Sequence, residues 1–233
     1  MIILMSGEGA LDLGREEWNS KQNKNEVHLG PVGAILRFFV EKITNNSKTN
    51  DYRYIDKKTL EEKARSTNIV LPGKRSDKEK GYFIKQARAF GKIAIEHQKN
   101  DNGDVVIAVL FRDSDLSHSS PPNTWKDKFD SIVKGFESAP FERGVPMVPK
   151  PTSEAWLLAL FDPPNSKITN NREDAKDREA LKEQLNNELG EHKIDRDNFP
   201  WLIMQQHESI TMDNLNSMPS FKKFLCFLGK ALR

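Results

Sequence analysis

Asp113 and Asp115 stand two residues apart at the end of a long apolar run, and no other pair in this chain is better placed to do chemistry. Carboxylate oxygens are the ligands that hard cations such as Mg²⁺ take, and one or two carboxylates plus substrate phosphates are a common arrangement. In an extended chain, residues two apart point to the same side, so both carboxylates would face one spot while Ser114 turns away. Asp-Ser-Asp fits an ordinary polar turn equally well. A second acidic point follows the first apolar run: Glu8 lies in Ser6-Gly7-Glu8-Gly9, with Asp12 shortly after it. A third is Glu154, the one charge in Glu154-Ala155-Trp156-Leu157-Leu158-Ala159-Leu160-Phe161, with Lys150 just before that segment.

These residues need elements to hold them. Val105 to Phe111 is β-branched at four of its first five positions. A run of that kind reads as a strand buried on both faces, as in a mostly parallel sheet covered by helices. Ligands of open α/β sheets bind beyond the carboxyl ends of the strands, which is where Asp113 and Asp115 fall. Ile2–Met5 followed by a glycine-bearing turn reads as the first strand of a βα unit. The glycine spacing there rules out a dinucleotide fingerprint, because the third required glycine is missing and Glu8 would repel a pyrophosphate.

The remaining elements follow in order. Residues 15–30 are polar and read as an excursion, and Pro31 suits the first position of an apolar helix. Asp51–Ile55 reads as a strand and Lys57–Arg65 as a short charged helix. Asp77–His97 reads as a long helix with Lys78, Lys85, Arg88 and Lys92 roughly on one side. That side is either a solvated face or a phosphate-binding one. Thr124 with Asp127 suggests a helix cap. The prolines of Val145–Pro149 suggest a short strand at a sheet edge or a strand end. Arg172–Leu189 reads as a helix closed by Gly190, and Pro219–Leu232 as a helix in which Cys226 is a core thiol. The sequence thus divides into 1–161, an α/β unit, and 162–233, a helical insertion and C-terminal helical portion packed on it.

Charged residues make up 30% of the chain against 36% hydrophobic, and the mean hydropathy is negative, so a modest core and a water-facing surface are expected. No apolar stretch approaches the ~20 residues of a membrane span. Met1–Met5 lacks the basic flank and the length of a signal peptide. The single cysteine excludes an internal disulfide framework and a Cys-based zinc site. A cytoplasmic chain with no membrane partner is expected. The net charge of +2 neither announces nor excludes a nucleic-acid binder.

Glu8-Gly9-x-x-Asp12 after the first strand, and Asp113-x-Asp115 after a later apolar strand, resemble the Toprim fold, the catalytic module of topoisomerases, primases and OLD-type nucleases. Met147–Leu158 resembles a segment of small stand-alone Toprim-like proteins of bacterial phage-defence loci, often encoded beside an ATPase. The resemblance covers roughly residues 1–161. It implies a Rossmann-like, mostly parallel sheet flanked by helices and a Mg²⁺- or Mn²⁺-dependent nuclease acting on nucleic acid. Glu8 would be general acid/base or metal ligand, and Asp113 and Asp115 metal ligands. Independently of any family, carboxylates converging at adjacent strand ends favour a divalent cation, which can polarise a phosphate and generate hydroxide near neutral pH.

Several assignments stay open. Asp12 serves either the metal or the turn. Glu154 joins the cluster, steadies Lys150 as a phosphate-binding lysine, or simply complements the helix dipole. Lys150 either stabilises charge on phosphate or is an ordinary surface lysine. Arg112 would point opposite to Asp113, with a structural or a phosphate-steering role, and His118 is either a proton shuttle or a solvent histidine. The rival functions are a nucleotide-sugar transferase, which leaves Glu8 unexplained, and a phosphatase with Asp113 as nucleophile, which wants a later acidic strand end. A non-catalytic Toprim-like scaffold working with a partner ATPase is the rival from another class.

Overall fold

The computed structural model describes residues 1–7, 12–19, 24–45, 50–66, 83–101, 104–116, 120–121, 123–162, 172–175, 177–195 and 197–233. Its centre is a parallel sheet of four strands: β1 (Ile2–Ser6), β4 (Asp51–Tyr54), β5 (Val106–Phe111) and β6 (Gly144–Met147), in the order β4-β1-β5-β6. β1 sits between β4 and β5 with Ile2 opposite both Asp51 and Val106, and β6 joins β5 with Ala108 opposite Gly144. The expected α/β class and mostly parallel sheet are therefore present, and the proline-bearing β6 is at an edge.

Side chains alternate across a strand, and here the alternation feeds two cores. Ile3, Met5, Ile107, Val109 and Phe111 join one cluster with helices α1 (Pro31–Thr44), α5 (Ser153–Ala159), α6 (Arg178–Glu191), α7 (Phe199–Gln205) and α8 (Pro219–Ala231). Ile2, Leu4, Val106, Ala108 and Leu110 join the other with α2 (Lys57–Ser66), α3 (Ile84–Asn100) and α4 (Thr124–Ser138). Both β1 and β5 are buried along their whole length. Among the described residues no helix is long and apolar enough to cross a membrane.

Several elements depart from the sequence expectations. The excursion at residues 15–30 contains an antiparallel hairpin, β2 (Gly14–Asn19) with β3 (Lys24–Leu29), Gly14 opposite Leu29. Its strands are mostly charged and polar, so the apolar alternation that marks a strand is absent. The long helix begins at Ile84, and residues 77–82, with Lys78, lie outside the described residues. Thr124 is inside α4 and donates from Oγ1 to the Pro121 carbonyl at 2.8 Å instead of capping with Asp127.

The helix expected from Arg172 starts at Arg178, where the Asp177 side chain accepts from the Ala180 N–H at 3.0 Å. Arg172 itself forms a nearly buried, two-pronged ion pair with Asp162, its Nε 2.9 Å from Oδ2. Cys226 is exposed, not a core thiol, because the buried stripe of α8 runs through Phe221, Phe224 and Leu228 and leaves position 226 outside.

Leu181, Leu185, Leu189, Phe199 and Ile203 share the core cluster of the sheet residues. The helical portion is therefore packed on the sheet by a common core. Trp156 of α5 anchors the joint: it is fully buried, packs edge-on against Phe221 with ring centroids 4.9 Å apart, and donates from Nε1 to Ser220 Oγ at 2.8 Å.

Candidate functional site at the carboxyl ends of the central strands

From β1 the chain proceeds through α1 to β4 on one side, and from β5 it proceeds through α4 to β6 on the other. The strand order thus reverses between β1 and β5. A crevice opens at such a point beyond the carboxyl ends of the strands, and open α/β sheets bind their ligands there. Asp12 follows β1, and Asp113 and Asp115 follow β5.

The Asp12 turn is fixed by backbone. Its carbonyl accepts the N–H groups of Val32 at 2.9 Å and Gly33 at 3.3 Å, in the first turn of α1. A Cβ at Gly33 would collide with the Leu13 carbonyl oxygen, so only glycine lets the turn come this close. Glu8, expected at the centre of the site, lies outside the described residues, as does His118.

β5 ends at Phe111, and the chain leaves the extended path by Asp115. Arg112 turns to the α3 face, fully buried, with Nη1 donating to the Phe111 carbonyl at 2.7 Å, Nε to Gln86 Oε1 at 3.2 Å, and the guanidinium over the Phe83 ring. Asp113 turns to the opposite side, where its Oδ1 accepts the Ser153 N–H at 2.8 Å. Ser114 is buried and donates to the Pro151 carbonyl at 2.7 Å, which ties the β5 exit to the segment leading into α5.

Asp115 adopts a left-handed backbone, φ 49°, and lies at the surface, so the two carboxylates do not form the parallel pair expected of an extended chain. Asp115 Oδ1 instead receives Arg178 Nη1 at 2.6 Å, from the start of α6. Sequence reasoning missed Arg178. Nothing local marks it, because the contact spans 63 positions.

Burial pushes the Asp113 carboxyl well above the usual carboxylate range, and the charges of Asp12, Glu154 and Asp115 push it further in that order. The Ser153 N–H opposes them. The structure therefore gathers Asp12, Asp113, Asp115 and Glu154 into one electrostatic neighbourhood. Among the described residues, no three His, Cys, Asp or Glu side chains converge closely enough to hold a metal by themselves. The buried hydroxyls of Ser6, at the end of β1, and Thr152, just before α5, have no hydrogen-bond partner among the described residues. Buried polar groups are ordinarily satisfied, so these two mark the same end of the sheet as polar and under-coordinated.

Lys150 does not pair with Glu154; its Nζ lies 3.1 Å from Asp174 Oδ1. Asp174 is held by a braced segment. Arg172 is locked to Asp162, and Glu173 is buried, accepting the Ser220 N–H at 2.7 Å and the Ser220 hydroxyl at 2.5 Å.

Glu154 and Asp12 also line a cleft of about 580 Å³, together with Lys182, Leu185 and Phe199 and with Arg15 and His28 of the hairpin. The cleft lies within the size range of small-ligand sites, about 300–1,000 Å³. No protein-family model, curated protein or solved structure matches the chain.

Proposed function

We propose that this chain is a divalent-cation-dependent phosphodiesterase acting on nucleic acid, a nuclease. The observation that carries the reading is Asp113: a desolvated carboxylate whose neighbouring charges are three further carboxylates, at the crevice where the strand order reverses. Such a group is poorly suited to an empty site and well suited to a cation. Mg²⁺ keeps several of its waters and needs only one or two protein carboxylates beside substrate phosphates, so a fully converged cage is not required. Asp113 with Asp12, Asp115 or Glu154 would supply the ligand oxygens, and Glu8 follows the same strand as Asp12. The cation, when bound, would polarise a phosphoryl oxygen and lower the pKa of a coordinated water.

The chain's own groups would then act as follows. Ser153 N–H fixes one oxygen of Asp113 and leaves the other for ligation. Glu154, partly buried beside it, is placed to accept a proton from the attacking water. Arg178 holds Asp115 in the ion pair described above and is free to exchange that carboxylate for a substrate phosphate, which a guanidinium can grip with two N–H groups. Lys150, braced through Asp174, supports positive potential at the rim. The resemblance to stand-alone Toprim-like proteins adds a setting, bacterial anti-phage defence beside an ATPase.

A second reading is a non-catalytic scaffold for such an ATPase. The Arg178–Asp115 pair favours it, since the arginine already supplies a countercharge. Calorimetric titration of Mg²⁺ and Mn²⁺ into the protein and into Asp113→Asn, beside cleavage assays on DNA and RNA, separates the two. Cation binding and cutting, both lost in the variant, support the nuclease. Binding of neither cation leaves the scaffold.

A further inference from the structure

The exit of β5 is fastened to the segment before α5 at two points. Ser114 Oγ donates to the Pro151 carbonyl at 2.7 Å, and the Ser153 N–H donates to Asp113 Oδ1 at 2.8 Å. Thr152 is the residue between those two anchors, so its backbone is held from both sides. It is 4% exposed, and its hydroxyl has no hydrogen-bond partner among the described residues.

A threonine at this position has an ordinary use. It stands immediately before α5 with the extended backbone of a helix cap, φ −146° and ψ 172°. A capping hydroxyl accepts an N–H of the first turn. This one accepts none, and the Ala155 N–H goes to the Thr152 carbonyl at 3.2 Å. A hydroxyl withdrawn from water and left unbonded costs free energy. Valine has the same branched shape without the polar atom. Because both neighbours are bonded to the β5 exit, the backbone cannot shift to find the hydroxyl a partner. The partner must therefore arrive with the ligand.

Ser6 carries another unbonded buried hydroxyl at this end of the sheet, but it belongs to the other face. Side chains alternate along β1, which puts Ser6 on the side of Ile2 and Leu4, the side packed by α3. Arg112 turns to that side and Asp113 to the opposite one. Thr152, in contrast, is one residue from the N–H that holds Asp113 and two from Glu154.

We propose that Thr152 is a positioning residue of the cation site, its hydroxyl holding one of the waters that a Mg²⁺ ion bound by Asp113 retains. Mg²⁺ gives up its waters reluctantly and keeps several in protein sites. A threonine oxygen can accept a hydrogen bond from such a water. Groups that hold the outer shell of a metal typically contribute 10- to 100-fold to its affinity. The inference rests on the reading of Asp113 as a cation ligand.

The test is calorimetric titration of Mg²⁺ and Mn²⁺ into the parent, Thr152→Val, Thr152→Ser and Asp113→Asn, with the melting temperature of each protein measured in EDTA. Thr152→Val should weaken cation binding about 10- to 100-fold and should melt at or above the parent in EDTA, since it removes an unbonded polar atom and keeps the shape. Thr152→Ser keeps the hydroxyl and should keep most of the affinity.

Unchanged binding by Thr152→Val beside lost binding by Asp113→Asn overturns the role of Thr152 and leaves the cation site. A Thr152→Val protein that melts below the parent in EDTA means that the hydroxyl already has a structural use, and overturns the proposal. So does a Thr152→Ser protein that binds no better than Thr152→Val. A parent that binds neither cation overturns the cation site and this proposal together.

Discussion

Asp113→Asn should stabilise the protein without divalent cations and destabilise it with them. Asparagine has nearly the shape of aspartate and keeps an oxygen for the Ser153 N–H, so the 2.8 Å hydrogen bond survives. What disappears is a desolvated charge pressed by Asp12, Glu154 and Asp115. Relief of one unfavourable local feature commonly gains about 0.5–2 kcal/mol. A domain of this size gains about 2–4 °C in melting temperature per kcal/mol, so an upward shift of about 1–8 °C in EDTA at neutral pH is expected.

The pH dependence follows from the direction of the shift. The carboxyl of Asp113 titrates higher in the folded chain than in the unfolded one. Below the unfolded value it is neutral in both states, and the variant and the parent should melt alike. The parent's penalty grows as pH rises between the two values and is complete above the folded one. Saturating Mg²⁺ should invert the order: at a hundredfold excess over Kd the parent gains about 2.7 kcal/mol, and the variant should gain far less. Differential scanning fluorimetry across pH, with and without Mg²⁺, reads all of this. A variant that melts below the parent in EDTA at neutral pH, or that gains as much from Mg²⁺, refutes the assignment of Asp113 as a strained cation ligand.

Three further substitutions test how the site is held. Trp156→Ala removes a fully buried ring and its bond to Ser220, and should cost about 3–5 kcal/mol in chemical denaturation; a loss under 1 kcal/mol would mean that α5 is not the anchor of α8. Gly33→Ala should lower the melting temperature by the equivalent of about 1–3 kcal/mol and weaken Mg²⁺ binding, because the new Cβ displaces the Leu13 carbonyl and the Asp12 turn with it. Gly190→Ala in α6, where a Cβ meets nothing within 4 Å, should instead be neutral or stabilising by up to about 1 kcal/mol, and equal effects at the two glycines would undo the argument.

Burial decided which parts were legible in the sequence. β5 and α5 are enclosed on all sides, and their composition had to say so; α1 and α8 carry broad apolar stripes that announced their length to within a residue or two. The hairpin was missed because its strands, Gly14–Asn19 and Lys24–Leu29, are mostly charged and polar and pair by backbone, so polarity read as irregularity. The carboxylates split along the same line. That Asp113 lies beyond the end of a central strand followed from the apolar run before it. That Asp115 leaves the extended path, swings to the surface and takes Arg178 depends on one left-handed backbone angle and on where α6 is docked, and neither is encoded nearby.

The helical portion contributes to the acidic end of the sheet as directly as the strands do. Asp113 is held by α5, Asp115 by α6 and Lys150 by the braced turn before α6, so the acidic end of the sheet is completed by residues from both halves of the chain. A fold that merely had to cover its sheet could do so with apolar faces alone. Leu181, Leu185 and Leu189 already do that on α6, while Arg178 and Lys182 of the same helix face the carboxylates and the cleft. One stripe of α6 therefore packs the core through its leucines and carries Arg178 and Lys182 to the acidic end of the sheet and the cleft. Truncation before residue 162 should for this reason abolish Mg²⁺ binding in calorimetric titration, along with the core that supports the acidic end of the sheet.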